Sequence, residues 1–119
     1  MKKILIVEDE KPIARALELK LTGAGYKIGY AGNGEEALAY LEHGKPDLIL
    51  LDLIMPKMDG FSTLETLKKN GSTIPVVVLT NLGQGEDITR AKDLGAKDFF
   101  IKSNTPIADI VEKVKTFLK

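Results

Sequence analysis

The chain has 119 residues, 44% hydrophobic and 29% charged, which suits one globular domain over residues 1–119 and leaves no room for a second core of ordinary size. Lys plus Arg equal Asp plus Glu at 17 each, so the basic excess behind non-specific nucleic-acid affinity is missing and direct nucleic-acid binding is not expected. The absence of cysteine excludes a disulfide framework and thiolate metal sites, MKKILIVEDE turns acidic too early for a secretory signal, and no apolar run could cross a bilayer; a cytoplasmic protein without membrane contact is expected.

In chain order, strands and helices alternate. Lys3 to Val7 is a short aliphatic run that stops at Glu8-Asp9-Glu10, so a strand delivers three carboxylates to its own end. Pro12 suits a first helical turn, and Ile13, Leu17, Leu21 and Ala24 recur at helical spacing until Gly23 and Gly25 end the helix, leaving Arg15, Glu18 and Lys20 to face water. Tyr26 to Ala31 carries Gly29 and reads as an edge strand. Asn33-Gly-Glu-Glu36 has the form of a helix N-cap with a Glu three residues on, followed by Ala37, Leu38 and Leu41 on one face and closed by His43-Gly44. His43, the only histidine, suits the negative end of that helix, next to a C′ glycine, and needs no ligand.

Leu48 to Leu51 is a continuous apolar run, the mark of a strand buried on both faces, and Asp52 follows it directly. Taken alone, Asp52 reads equally well as a strand cap. Gly60 opens a helix with Phe61, Leu64 and Leu67 that ends near Asn70-Gly71. Pro75 to Leu79 is a second strand without polar residues and ends at Thr80; the loop from Asn81 to Gly85 follows. The helix around Glu86 to Leu94 has only Ile88, Ala91 and Leu94 as an apolar stripe, which anchors it lightly. Asp98 to Ile101 is a short strand reaching Lys102, and a last helix beginning near Asn104-Thr105-Pro106 carries Ile107, Ile110, Val111, Val114, Phe117 and Leu118. Five strands alternating with five helices predict an α/β, flavodoxin-like, doubly wound parallel sheet of order 2-1-3-4-5.

In that topology the residues ending the first, third, fourth and fifth strands, Glu8 and Asp9, Asp52, Thr80 and Lys102, share one edge of the sheet. Carboxylates so close repel unless a hard cation gathers them, and Mg²⁺, with Mn²⁺ as the alternative, suits one or two carboxylates plus waters and phosphate oxygens. Lys102 supplies a point charge and Thr80 a hydroxyl for phosphoryl oxygens. A carboxylate nucleophile among them is the set that forming an aspartyl phosphate requires.

On these residues, in this order and over essentially the whole chain, the sequence resembles the receiver domain of bacterial two-component response regulators, similar to the chemotaxis regulator. The resemblance implies a phosphorylation-dependent switch: Asp52 is phosphorylated by a histidine kinase or phosphotransfer protein. Asp9 is then a direct Mg²⁺ ligand, Glu8 acts mainly through water, and Asp52 and the backbone carbonyl of Ile54 complete the protein ligands. Thr80 is the switch hydroxyl, Phe99 the aromatic switch residue and Lys102 the phosphoryl-binding lysine. Output to a partner or to an effector domain, or homodimerisation, would use the face of the fourth helix, fifth strand and fifth helix. Such a domain promotes its own phosphorylation and dephosphorylation without being an enzyme in the usual sense.

Three positions depart from the family pattern: Ser103 stands where a Pro on a cis bond is usual, Asn81 where a smaller Ala or Ser is usual, and Phe99 lacks the hydroxyl of Tyr variants. Without the Pro, the Lys102-Ser103 bond is expected to be trans.

Rival readings fit less well. A flavin-binding loop would have to cradle a phosphate, which Glu8-Asp9-Glu10 repels. A phosphatase with an aspartyl-phosphate intermediate needs a second acid two residues after the nucleophile, where this chain has Ile54. A purely structural pseudo-receiver has no reason to keep every one of these residues.

Overall fold

The computed structural model describes residues 1–82 and 84–118; Gly83, in the predicted loop after Thr80, and Lys119 lie outside the described residues. The elements are β1 (Lys3–Val7), α1 (Lys11–Gly23), β2 (Lys27–Ala31), α2 (Gly34–His43), β3 (Leu48–Leu51), α3 (Gly60–Lys69), β4 (Val76–Thr80), α4 (Gly85–Asp93), β5 (Asp98–Ile101), a 3₁₀ turn (Lys102–Asn104) and α5 (Ile107–Phe117). The strands form one parallel sheet in the order β2-β1-β3-β4-β5, as the sequence predicts, with β2 at one edge and β5 at the other.

The two-residue pleat sorts the apolar strand residues between two cores. Leu5, Val7, Ile49, Leu51, Val76 and Val78 pack with Ala37 of α2, Phe61, Leu64 and Leu67 of α3 and Ala91 of α4. Ile4, Ile6, Leu48, Leu50, Val77 and Leu79 pack on the other face with Ala14, Leu17 and Leu21 of α1 and Ile110 and Val114 of α5. This explains the unbroken apolar runs of β1, β3 and β4: a strand covered on both faces has no side on which to place polar residues.

Several local expectations shift by a turn or less. Ala24 is exposed, because α1 stops at Gly23 and Ala24 serves as its C-cap. The last helix starts at Ile107 instead of near Asn104, since the chain first makes the 3₁₀ turn and Pro106 takes the N-cap place. Gly44 caps α2 in an extended conformation, φ −125°, so its smallness matters for space and not for handedness: a Cβ there would lie 2.9 Å from the Tyr40 ring. The predicted N-cap holds: Asn33 Oδ1 accepts from the Glu36 N–H at 2.9 Å.

Gly60 is needed for a different reason. It starts α3 hard against the chain that leaves β3, donating its N–H to the Leu53 carbonyl at 3.0 Å. A Cβ would run into the Asp52 carbonyl oxygen and lie 2.6 Å from the Leu53 Cα, both backbone atoms that cannot swing aside. Gly60→Ala is therefore expected to destabilise the protein by about 1–3 kcal/mol or more, read as a lower urea midpoint. An unchanged midpoint would show that this approach is not tight.

Candidate functional site

The carboxyl ends of β1, β3, β4 and β5 converge as the topology requires. Asp52, the residue after β3, is only 4% exposed, and its N–H continues the ladder to the Val7 carbonyl at 3.0 Å. Both of its carboxylate oxygens are held: Oδ1 accepts from the Ile54 N–H at 3.3 Å and Oδ2 from Lys102 Nζ at 2.9 Å. Ile54 itself is 56% exposed, as a residue offering only its backbone can be. The loop onward to Gly60 contains a tight turn in which the Met58 N–H donates to the Pro56 carbonyl at 2.8 Å across Lys57, the only non-glycine at positive φ among the described residues.

Lys102 opens the 3₁₀ turn beyond β5 and sends a buried side chain across the strand ends. Its Nζ lies 2.6 Å from Glu8 Oε1, 2.9 Å from Asp52 Oδ2 and 3.6 Å from Glu10 Oε1. Carboxylate oxygens of Glu8, Glu10 and Asp52 lie within 4.8 Å of one another. Asp9 is exposed and outside this group. The chain bends at Asp9, just past the end of β1, and this bend brings Glu10 back toward Glu8. The Glu10 N–H also donates to Glu8 Oε2 at 3.0 Å, which folds the two residues together. Sequence reasoning gave no hint of Tyr30, whose hydroxyl donates to the Glu8 carbonyl at 2.7 Å and holds the acidic loop from the edge strand.

Thr80, the last residue of β4, is fully buried, and its Oγ1 accepts from the Leu82 N–H at 3.3 Å. The pleat puts Thr80 on the same side of β4 as Val78, which is paired with Phe99. Phe99 is half-buried against the core shared by α2, α3 and α4. Of the residues of α4, only Ala91 is fully buried; the helix is otherwise held by Arg90 stacking 4.1 Å above the Phe61 ring and by Lys68 Nζ donating to the Asp93 carbonyl at 3.0 Å. There are no cis peptide bonds among the described residues, so Lys102-Ser103 is trans.

One lysine shared between two buried carboxylates leaves negative charge in excess. Burial pushes the Glu8 carboxyl from 4.5 up to about 7, and nearby Asp52 adds to this, against the pull of the Lys102 and Glu10 N–H hydrogen bonds. Burial also works against the charged form of Lys102, but its hydrogen bonds to Glu8 and Asp52 outweigh it and the lysine holds its proton more tightly than usual. Glu8 thus binds its proton more tightly folded than unfolded. Its contribution to stability is complete below pH 4.5 and is lost as pH rises toward 7. Metal-free protein is expected to lose on the order of 2 kcal/mol through this group over that range, a slope that Glu8→Gln removes. Urea midpoints for both proteins across the range test this; parallel slopes would contradict it.

An all-oxygen group of clustered carboxylates around a protein ammonium fits a hard divalent cation, which would relieve the same excess charge. Among the described residues no helix is long and apolar enough to cross a membrane.

Comparison with known proteins agrees with this geometry. The family profile described as "Response regulator receiver domain" matches residues 4–115. The probable transcriptional regulator ycf27 of Cyanophora paradoxa is 39% identical over 118 residues, 99% of this chain and 48% of that protein. The alkaline phosphatase synthesis transcriptional regulatory protein PhoP of Bacillus subtilis is 37% identical over 118 residues, 99% of this chain and 49% of that one. The chain thus spans about half the length of these curated relatives. A two-component response regulator from Clostridium difficile superposes with a TM-score of 0.93 at 31% identity, over 99% of this chain and 96% of that one. The signal receiver domain of a signal transduction histidine kinase from Syntrophus aciditrophicus does so with a TM-score of 0.88 at 37% identity, over 99% and 90%. The chain belongs to the receiver-domain family of two-component response regulators, whose general function is phosphorylation-dependent signalling and not classical enzymatic turnover.

Proposed function

We propose that residues 1–119 form one phosphoacceptor unit in which Asp52 takes a phosphoryl group from a histidine kinase or phosphotransfer protein, in a reaction that needs Mg²⁺ or Mn²⁺. The observation that carries this reading is the placement of Asp52: a buried carboxylate at the end of a central strand, held at both oxygens and surrounded by Glu8, Glu10 and Lys102. An Asp52 oxygen attacks the phosphorus of the donor, the donor's bond to phosphorus breaks, and the leaving group carries away the bond's electron pair. The metal ion supplies charge neutralisation for phosphoryl oxygens when bound.

Asp52 and the Ile54 carbonyl are the core of the proposed ligand set, with Glu8 acting mainly through water. Asp9 is the proposed direct acidic ligand, which requires its exposed carboxylate to turn inward; Glu10, already facing Lys102, is the alternative. Lys102 moves its ammonium from the carboxylates to a phosphoryl oxygen, and Thr80 donates its hydroxyl to another.

The same contacts supply the switch. As Thr80 is drawn to the phosphoryl group, the Phe99 ring turns toward the space it leaves, and lightly held α4 follows. The shift is limited by the phosphoryl group's differential affinity for the two states. Output then leaves through α4, β5 and α5, to a partner protein, to a second copy or to a further domain, in the cytoplasm and without direct nucleic-acid contact. Beryllofluoride with Mg²⁺, followed by amide shifts in NMR, tests this: residues around Asp52, Thr80, Phe99 and α4 should respond together. A response at Asp52 with Phe99 and α4 silent would refute the proposed output face.

A further inference from the structure

Asn81 and Ser103, two of the three departures from the family pattern, meet in the fold. Asn81 follows Thr80 and Ser103 follows Lys102, and the Ser103 N–H donates to Asn81 Oδ1 at 3.1 Å. The backbone alone leaves this N–H without an acceptor. The β4–β5 ladder reaches only to Thr80 and Ile101, and the first N–H groups of a helical turn have no partner within it. The residue before the 3₁₀ turn is Ile101, whose side chain cannot accept. Asn81 supplies the missing acceptor from the neighbouring strand and extends the β4–β5 pairing by one side-chain rung. Proline at 103 would have no N–H to offer, so the two departures depend on each other.

This rung lies at the root of the Lys102 side chain. The ladder holds the backbone before Lys102, and the Asn81 bond holds the backbone just after it. From that root a flexible four-carbon stem reaches Asp52 Oδ2 at 2.9 Å and Glu8 Oε1 at 2.6 Å. The bond also ties the residue after Thr80 to the residue after Lys102, and so sets the spacing of the two groups that would receive phosphoryl oxygens.

We infer that Asn81 is a positioning residue for phosphoryl transfer: through the Ser103 N–H it fixes the root from which Lys102 is aimed at Asp52. This rests on the reading of Asp52 as the acceptor. Both residues are exposed, so their replacement leaves the two cores intact.

The experiment compares Asn81→Ala, alone and in Ser103→Ala and Ser103→Pro backgrounds, using the full chain. Intact mass gives the initial rate of phosphate-adduct formation from acetyl phosphate with Mg²⁺; a titration with Mg²⁺ alone gives metal affinity. Asn81→Ala should slow adduct formation about threefold to tenfold, the size of one hydrogen bond's net contribution, without weakening Mg²⁺ binding in parallel. The penalty should persist beside Ser103→Ala, which keeps the N–H, and vanish beside Ser103→Pro, which removes it. Equal rates for Asn81→Ala and the unsubstituted chain, a full penalty beside Ser103→Pro, or a parallel loss of Mg²⁺ affinity would each overturn the inference while leaving Asp52 as the acceptor. No adduct on the unsubstituted chain would overturn the acceptor reading itself, and this inference with it.

Discussion

Asp52→Asn is expected to abolish the phosphate adduct formed with a small phosphodonor and Mg²⁺, and to do so without unfolding the protein. The amide keeps the size of the carboxylate and an oxygen able to accept from Lys102 Nζ or the Ile54 N–H, but it is far too weak a nucleophile to attack phosphorus. Stability moves the other way from activity, because removing one of two buried carboxylates relieves the excess charge that burial already penalises at Glu8. A variant that is at least as stable as its parent yet unable to be phosphorylated separates the site's chemical role from a structural one. Loss of the adduct through unfolding would show as a lowered urea midpoint, which this account does not expect.

Lys102→Ala should have the second-largest effect, on two measurements. It strips the only ammonium within reach of the Glu8 and Asp52 carboxylates among the described residues, and leaving buried charge without its partner costs about 3 kcal/mol. The loss should be greatest above pH 7 and shrink toward pH 4.5, as Glu8 takes up a proton in place of the lysine's charge. Added Mg²⁺ should restore part of it. The rate of adduct formation should fall roughly a hundredfold or more even with saturating Mg²⁺, since a preorganised cation at the transferring group is lost. Stability that is indifferent to pH in the variant would mean that Lys102 does not neutralise this cluster.

The sheet order and the strand-end residues were legible because both follow from patterns of short range. Runs such as Leu48–Leu51 and Val76–Leu79 cannot avoid being central, and a parallel sheet then brings every strand's carboxyl end to one edge. Asp52, Glu8, Thr80 and Lys102 were placed by this logic alone. The details that escaped it are set by side-chain direction or by tertiary contact. Three consecutive acids do not say which of Asp9 and Glu10 turns toward the lysine; that depends on the bend at Asp9 and on the Glu10 N–H bond to Glu8. The late start of α5 reflects a 3₁₀ turn tied at Ser103 to Asn81, 22 residues away, which no local propensity encodes. The Tyr30 hydroxyl, also 22 residues from its acceptor at Glu8, escaped for the same reason.

The most direct test of the central claim is to locate the phosphoryl group. Borohydride reduces an acyl phosphate to the alcohol, so a phosphorylated aspartate is read as homoserine in the peptide mass spectrum. After treatment with acetyl phosphate and Mg²⁺, homoserine is predicted at position 52 and nowhere else, and it should be absent when EDTA replaces the metal. Homoserine at Asp9 or another acid, or at position 52 equally in EDTA, would contradict the assignment of Asp52 as the metal-dependent phosphoacceptor.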